Sequence, residues 1–482
     1  MRRTVGFFLA PAVFIALLAL PLAGLSPAAH RLAAVMAAVV VLWVTEALPL
    51  PVTALLGAAA SVVLEVAPAK EVFAPFADPL MFLFIGAFIL ARGIFVHQLD
   101  RRVAYAVLSL PWVGARPARI LVAFGAATAL ISAWISNTAT TAMMFGIGLS
   151  ILAALQSQTA GSTMDPRYAS ALMLMTSFAA SVGGLATPVG TPPNLIGIGF
   201  IRSQLGVEVT FFQWTLIGIP VVTVLFGFLA VYLNAVGPSG VRELPAGGEL
   251  IRHEREQLGP WTAGQRSVAL AFSLTVALWV LPGVAALIWG QGSSIYLALS
   301  RRMPEGVAAL VGAALLFILP GRNGPAITWR EASEIDWGVV LLYGGGFALG
   351  VLSFQTGLAE AVGRGLTGLL PGHGSFGFLV ASVVLATILS ETTSNTASAN
   401  MVVPVVIAIG RAAGLDPLEA ALGATFGASL GFMLPVSTPC NAIVYGSGYI
   451  PLGRMMRWGL ALDLVGVVVI VTLVRLLSPL VR

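Results

Sequence analysis

The sequence predicts an all-α polytopic membrane protein with two re-entrant helical hairpins set in two related halves. Three observations carry that prediction. First, 58% of the 482 residues are hydrophobic and only 9% are charged, against about 25% charged in a soluble domain. Second, apolar stretches of 16–26 residues recur along nearly the whole chain, long enough for helices crossing a hydrocarbon core of about 30 Å. Third, a polar tripeptide occurs twice inside apolar sequence, as Ser136-Asn137-Thr138 in AWISNTATTAMMFG and Ser394-Asn395-Thr396 in ETTSNTASANMVVP. Each copy is followed by a second related segment, LATPVGTPPNLIGIG (185–199) and FMLPVSTPCNAIVYG (432–446). Aligned from Thr187 and Leu434, seven of thirteen positions match: two Pro and one each of Val, Thr, Asn, Ile and Gly.

Apolar runs bounded by charge or by Pro and Gly place spans near 5–24, 32–48, 52–67 and 79–97, then an Arg-flanked interfacial stretch at 100–116. The N-terminal MRRTVGFFLAPAVFIALLALPLAG has the basic start and apolar core of a signal peptide. Its run is long, however, no clear cleavage site follows and another hydrophobic segment begins at once, so a retained first span is expected. Residues 118–156 are mostly apolar, with a tripeptide near the middle and no charge there. Two complete spans would need about 40 residues plus a polar loop, so two half-length helices that dip in and return, with the tripeptide at the tip, fit better. Residues 373–412 repeat the arrangement. Irregular backbone at membrane depth is tolerated only where protein or a wet cavity surrounds it, so both tips should face a site.

An interrupted helix follows each hairpin. One runs over 167–205 and is opened at Thr187–Asn194 by Pro188, Pro192 and Pro193; the other runs over 417–449 and is opened at Leu434–Asn441 by Pro435 and Pro439. Proline removes a backbone donor and collides with the preceding turn. Further spans lie near 211–236, 266–288, 306–320, 337–355 and 456–477. The charged stretch 237–265, with Arg242, Glu243, Glu249, Arg252, Glu254, Arg255 and Glu256, reads as a cytoplasmic loop joining the halves.

The net charge of +5 does not signal nucleic acid, because the 24 Arg and the single Lys70 are scattered over short loops and form no basic stripe. They report orientation instead. Arg2 and Arg3 precede the first span, and Arg92, Arg101, Arg102, Arg116 and Arg119 crowd the segment before the first tripeptide, while Glu65, Glu71 and Asp78 sit in the preceding loop. Positive-inside logic puts the N-terminus and the 92–119 segment in the cytoplasm and the C-terminus outside; Arg301-Arg302, placed outside by the same count, fit less well. Cys440 is the only cysteine, which excludes an intramolecular disulfide and a multi-cysteine metal site. His30, His97, His253 and His373 sit at loops or span ends without ligand spacing.

The polar motifs carry the chemistry. A lone Ser or Thr in a membrane helix ordinarily bonds a carbonyl one turn back, and Asn glues helices together. Two tripeptides at matched positions, each paired with a broken segment ending in Thr-Pro-x-Asn, exceed that reading, since broken helices at corresponding positions of two halves point to a midplane binding site. Helices starting just after residues 138, 194, 396 and 441 would aim their positive dipole ends at one centre, and Asn amides and Ser/Thr hydroxyls donate to anionic oxygens as well. No Arg or Lys lies in the four motif segments. A dianion held there by dipoles and hydroxyls alone carries a heavy desolvation cost, which co-bound cations would offset. The residues therefore argue for cation-coupled anion uptake.

The two Ser-Asn-Thr tips, TPVGTPPN, LPVSTPCN and the early WVTEALPLPVTAL (43–55) resemble the divalent anion/sodium symporter family, over essentially the whole chain. That resemblance implies a homodimer of about eleven spans plus two hairpins, an elevator-type carrier of inverted repeats, and sodium-coupled import of C4-dicarboxylates such as succinate, malate and fumarate across an inner membrane. Sulfate or citrate carriage, and sodium-independent exchange, are the alternatives within the family. The implied division is scaffold over 1–117 and 266–372, moving transport halves over 118–236 and 373–482, and the loop 237–265 between them. Carried over by position, one sodium site uses Ser132, Ser136, Asn137 and the Gly190 carbonyl, and the other Ser390, Thr393, Asn395 and the Ser437 carbonyl. The substrate carboxylates would meet Asn137, Thr138 and Thr191 from one half and Ser394, Asn395, Thr396 and Thr438 from the other. This chain departs from the family pattern in Cys440, which stands where the first repeat has Pro193, and in Thr393 and Ser437, where small apolar residues are common.

Glu46, at a helix end, and Glu391, three residues before the second tip, are expected to make structural hydrogen bonds rather than relay protons. An intramembrane protease is disfavoured, because H-E-x-x-H is absent and no Ser-His or Ser-Lys pair lies at membrane depth. A channel would call for subunit symmetry around a pore, whereas two different hairpins share one chain here.

Overall fold

Asp-Pro pairs begin both interrupted helices, and the fold is easiest to follow from such paired signals. The computed structural model describes residues 2–22, 24–158, 165–241, 243, 245–367 and 374–481; His373 and Arg242 lie outside them. The first part of the chain forms α1 (Arg2–Ala19), α2 (Pro27–Thr45), α3 (Leu50–Val63), α4 (Ala69–Phe73), α5 (Pro79–Val96) and α6 (Leu99–Leu108). The hairpin arms α7 (Pro117–Ser132) and α8 (Asn137–Gln158) follow, then α9 (Pro166–Gly183), α10 (Pro192–Phe200), α11 (Phe211–Val236) and α12 (Pro245–Gln257). The rest forms α13 (Ala263–Trp289), α14 (Ser294–Arg302), α15 (Glu305–Ile318), α16 (Trp329–Ala332), α17 (Trp337–Gln355) and α18 (Leu358–Leu366). A second hairpin, α19 (Gly374–Thr392) and α20 (Asn395–Ala413), precedes α21 (Pro417–Gly427), α22 (Pro439–Tyr445) and α23 (Leu452–Leu477). No strand occurs among the described residues.

The two halves use the same local chemistry in the same order. Asp78 Oδ1 accepts from Leu80 N at 2.9 Å to cap α5, and Asp336 Oδ1 accepts from Val339 N at 3.2 Å to cap α17. Asp165 and Asp416 cap α9 and α21 by accepting from Arg167 N and Leu418 N, each just before a proline in the first helical turn. Between α5 and α6 the chain turns through Gln98 at φ 52°, and between α17 and α18 through Gly357 at φ 80°. The halves also interlock: α15 packs on α5 while α3 packs on α17. At both contacts a glycine lets backbones meet, Gly86 against the backbone of Ala309 and Gly345 against that of Ala54.

Among the described residues, seven long apolar helices outside the hairpins (α1, α2, α5, α11, α13, α17, α23), the shorter α3 and α15, and the two broken helices supply the eleven expected crossings. Two sequence expectations need correction. The hairpin arms are not half-length: they run 16, 22, 19 and 19 residues, roughly 24–33 Å at 1.5 Å per residue. Their tips nonetheless end inside the protein, where Ser132, Ala133 and Ile135 are buried. The 237–265 stretch is not a plain loop either. It contains α12, which lies on α6 and α8 with Ile251 buried, while Tyr105 donates to Glu254 Oε2 at 3.4 Å and Arg101 lies 3.9 Å from that carboxylate.

Candidate functional site

Each break is held open by its own asparagine. Asn194 Nδ2 donates to the carbonyls of Gly184 (2.9 Å) and Thr187 (2.8 Å), ten and seven residues back; Asn441 Nδ2 donates to Gly431 (2.9 Å) and Leu434 (3.0 Å) at the same spacings. Regular helical pairing has stopped at these carbonyls, although those of Thr187 and Leu434 also accept turn bonds from Gly190 N (3.3 Å) and Ser437 N (3.2 Å). Both Asn are fully buried. The sequence shows them as matched letters of the repeat; their pinning role rests on a ten-residue fold-back that spacing alone does not reveal. Asn441 Oδ1 also accepts from Ser177 Oγ at 2.5 Å, whereas Asn194 Oδ1 is buried without a partner among the described residues. Seventeen positions before Asn441, where the first half has Ser177, the chain has Ala424.

The hairpin tips lock onto those breaks. Thr187 Oγ1 donates to Ala133 O, and Ser390 Oγ donates to Ala428 O at 2.8 Å. Glu391 does the tying in the second half: Oε1 accepts from Met433 N at 2.8 Å and Oε2 from Ser437 Oγ at 2.7 Å. The structural role expected of Glu391 is therefore met, by a backbone donor on the break rather than in its own turn. Glu46 behaves differently. It caps α2 with φ 50°, only its backbone N–H bonding to Trp43 O, and its side chain lines the cavity described next.

A cavity of about 810 Å³ collects the motifs. All seven residues assigned to the substrate line it: Asn137, Thr138, Thr191, Ser394, Asn395, Thr396 and Thr438. The opposite wall comes from Arg3, the 46–51 connection, Asp336 and the first turns of α17. The four helices that start beside the cavity begin at Asn137, Pro192, Asn395 and Pro439, up to three residues earlier than expected from the sequence. Arg3 is a basic side chain that the motif segments do not contain; it reaches the wall from α1, a long-range placement invisible in local sequence. Ser181, not singled out from sequence, also lines the cavity, its buried hydroxyl without a partner among the described residues.

The residues assigned to sodium fall into two groups. Ser136, Asn137, Asn395 and Ser437 line the cavity. Ser132 and Ser390 lie buried behind them, their hydroxyl oxygens 2.7 Å from Asn137 Oδ1 and 2.8 Å from Asn395 Oδ1. The first set is rich in oxygen: the Asn137 carboxamide oxygen faces the carbonyls of Ala180 and Gly190 at 3.1 and 3.3 Å, an arrangement that is satisfied by turning the amide or by a cation among the oxygens. Gly190 and Thr393 do not line the cavity. Thr393 is buried and its hydroxyl donates to Leu389 O at 3.0 Å, one turn back, so its side chain is engaged by its own helix. Ser437 likewise commits its hydroxyl to Glu391, leaving the carbonyl as the group the assignment needs.

Comparison with known proteins settles the family. A family model described as the sodium:sulfate symporter transmembrane region matches residues 2–481. The chain belongs to that family. It is a family of transporters, so the chain is a multi-pass membrane transporter and not an enzyme. The sodium-dependent dicarboxylate transporter SdcS of Staphylococcus saprophyticus is 34% identical over 445 residues, covering 91% of this chain and 84% of the relative. SdcS of Staphylococcus aureus (strain USA300) is 33% identical over 447 residues with the same coverage. Among solved structures, the Alcanivorax borkumensis YdaH transporter superposes with a TM-score of 0.55 over 84% of this chain and 85% of its own, at 17% identity, a likeness of fold.

Proposed function

We propose that this symporter-family chain is a sodium-coupled carrier that imports C4-dicarboxylates such as succinate, malate and fumarate across the inner membrane. The observation that carries the reading is the convergence of both Ser-Asn-Thr tips and both Thr-Pro segments on one cavity that has Arg3 as its basic side chain among the described lining residues. A dianion there meets helix N-termini, hydroxyls and carboxamides, with sodium ions beside Asn137 and Asn395 offsetting its desolvation cost. The dicarboxylate preference draws on the SdcS relatives.

In this reading 118–236 and 373–482 move as one transport body against a scaffold of 1–117 and 266–372, two copies of which pair through their scaffolds. Arg3 and the 46–51 connection share the cavity with the tips, which fits a site facing the side of the N-terminus, the cytoplasm by the positive-inside rule. The test is uptake of radiolabelled succinate by proteoliposomes, with sodium replaced by choline on the outside and with malate, fumarate, citrate and sulfate as competitors. Sodium-dependent uptake, blocked by malate and fumarate, is the expected result. Undiminished uptake in choline overturns symport and selects exchange. Competition by sulfate or citrate ahead of the four-carbon acids reassigns the substrate.

A further inference from the structure

Two carboxylates face each other inside the protein, and neither the substrate contacts nor the two sodium sites use them. Asp463 lies midway along α23, 4% exposed, and both of its oxygens are buried without a hydrogen-bond partner among the described residues. The Glu391 carboxyl and the Phe432 backbone N–H act on that carboxyl. Glu391, 8% exposed at the end of α19, is the residue that holds Met433 N and Ser437 Oγ. α23 is pressed onto the same piece of the break: Gly459, one turn before Asp463, lies so close to the Phe432 carbonyl that a Cβ would not fit. None of the six ion pairs among the described residues includes Asp463 or Glu391.

Two buried acids with spare lone pairs and no basic partner carry a large desolvation penalty that a bound cation removes. We propose that Asp463 and Glu391 hold a third sodium ion, beside the second predicted site and distinct from it. The ligands are the two Asp463 oxygens and the free lone pairs of Glu391; hard oxygen donors of this kind suit sodium. The second predicted site draws on Ser390 and Asn395, which bond to Ala428 and Ser429 upstream of that turn, and on the Ser437 carbonyl; it meets the proposed site only where the Ser437 hydroxyl donates to Glu391. The inference rests on the sodium-coupled reading above. Because both acids sit in the proposed second transport half, the ion would travel with the substrate, and three sodium ions with one dianion would carry one net positive charge inward per cycle.

The experiment counts sodium. Binding of ²²Na⁺ to purified protein in nanodiscs, in the presence of succinate, is compared for wild type, Asp463→Asn, Glu391→Gln and the double variant, each first shown to be folded by its melting transition. The ²²Na⁺-to-succinate flux ratio and the current per succinate are then read in proteoliposomes. We expect each single variant to bind one sodium fewer than wild type and the double variant to lose no more than that one. The flux ratio of Asp463→Asn should fall from three to two, its current per succinate should vanish, and Asp463→Glu should restore the count. If Asp463→Asn yields no folded protein, Glu391→Gln, expected to lose one sodium, is compared with Asp463→Glu, expected to keep all three. An unchanged sodium count in Asp463→Asn, with succinate binding still dependent on sodium, overturns the third site alone; a wild type that binds succinate equally without sodium overturns the coupling it rests on.

Discussion

At each tip one carboxamide stands between two jobs, reaching the cavity on one side and a buried serine on the other. Asn137 meets Ser132 in the first half and Asn395 meets Ser390 in the second. If each Asn serves both a sodium ion and the substrate, Asn137→Ala and Asn395→Ala each remove a charge-assisted contact of about 1.5–3 kcal/mol, with a further penalty through the linked cation. Uptake should drop at least tenfold in either variant while the protein stays folded; near-normal transport by either would remove the shared role. Asp165→Asn is the control. It preserves the cap on α9 and loses an ion pair with a half-exposed Arg167, so its effect on uptake should be slight. The pinning asparagines behave differently. Asn441→Ala breaks three buried side-chain bonds and Asn194→Ala two, so Asn441→Ala should lower the melting temperature more. Equal losses would mean that the Ser177 bond contributes nothing.

At the scale of elements, the short helix α6 carries its own pH signature. Burial pushes the Asp100 carboxyl up to about 6 from 3.8, partly opposed by the Arg101 N–H and charge. A carboxyl raised on folding contributes stability that is whole below about pH 3.8 and is lost as pH rises through about 6. Asp100→Asn should therefore be more stable to unfolding than wild type at pH 7.5, by at most about 3 kcal/mol, with the advantage shrinking toward pH 4.5. An advantage independent of pH would point to packing instead. Hairpins and breaks were legible in the sequence, because polar amides and prolines inside apolar runs are locally costly and here occur twice in step. The interlocking of α3 with α17 and α15 with α5 was not legible. It depends on glycine-to-backbone contacts between segments about 220 to 290 residues apart, and no local pattern distinguishes those glycines from others. The α12 helix was masked by its charge, which reads as solvated loop until Glu254 is seen against Tyr105 and Arg101. Likewise Arg2, read only as an orientation signal, donates to the carbonyls of Val44 and Thr392 and so ties α1 to the second tip.

For the molecule as a whole, the proposed motion makes contacts between the two bodies conditional. Arg202, just after α10, pairs with Asp78 at 2.5 Å, and Tyr343 on α17 donates to the other Asp78 oxygen at 3.5 Å. This cluster joins a proposed moving segment to the proposed scaffold, so it should hold the described state and break in the opposite one. A thiol-free background is available through Cys440→Pro, since Cys440 occupies the second position of α22, where proline is tolerated. In that background Ala139→Cys, just past the first tip, should label readily from the cytoplasmic side, and sodium plus succinate should change the rate by shifting the population. Adding Asp78→Asn should lower cytoplasmic labelling before any ligand is added. Identical labelling under all these conditions, in protein shown to bind its ligands, argues for a static tip.

The central claim is that anion and sodium share one site complex built from both halves, and reciprocal binding tests it most directly. Succinate affinity of the purified protein, measured calorimetrically in sodium and in choline, should differ by at least tenfold in favour of sodium, and the overall constant for binding the coupled sodium ions should rise by the same factor when succinate is present. Equal succinate affinity in the two salts would contradict the account.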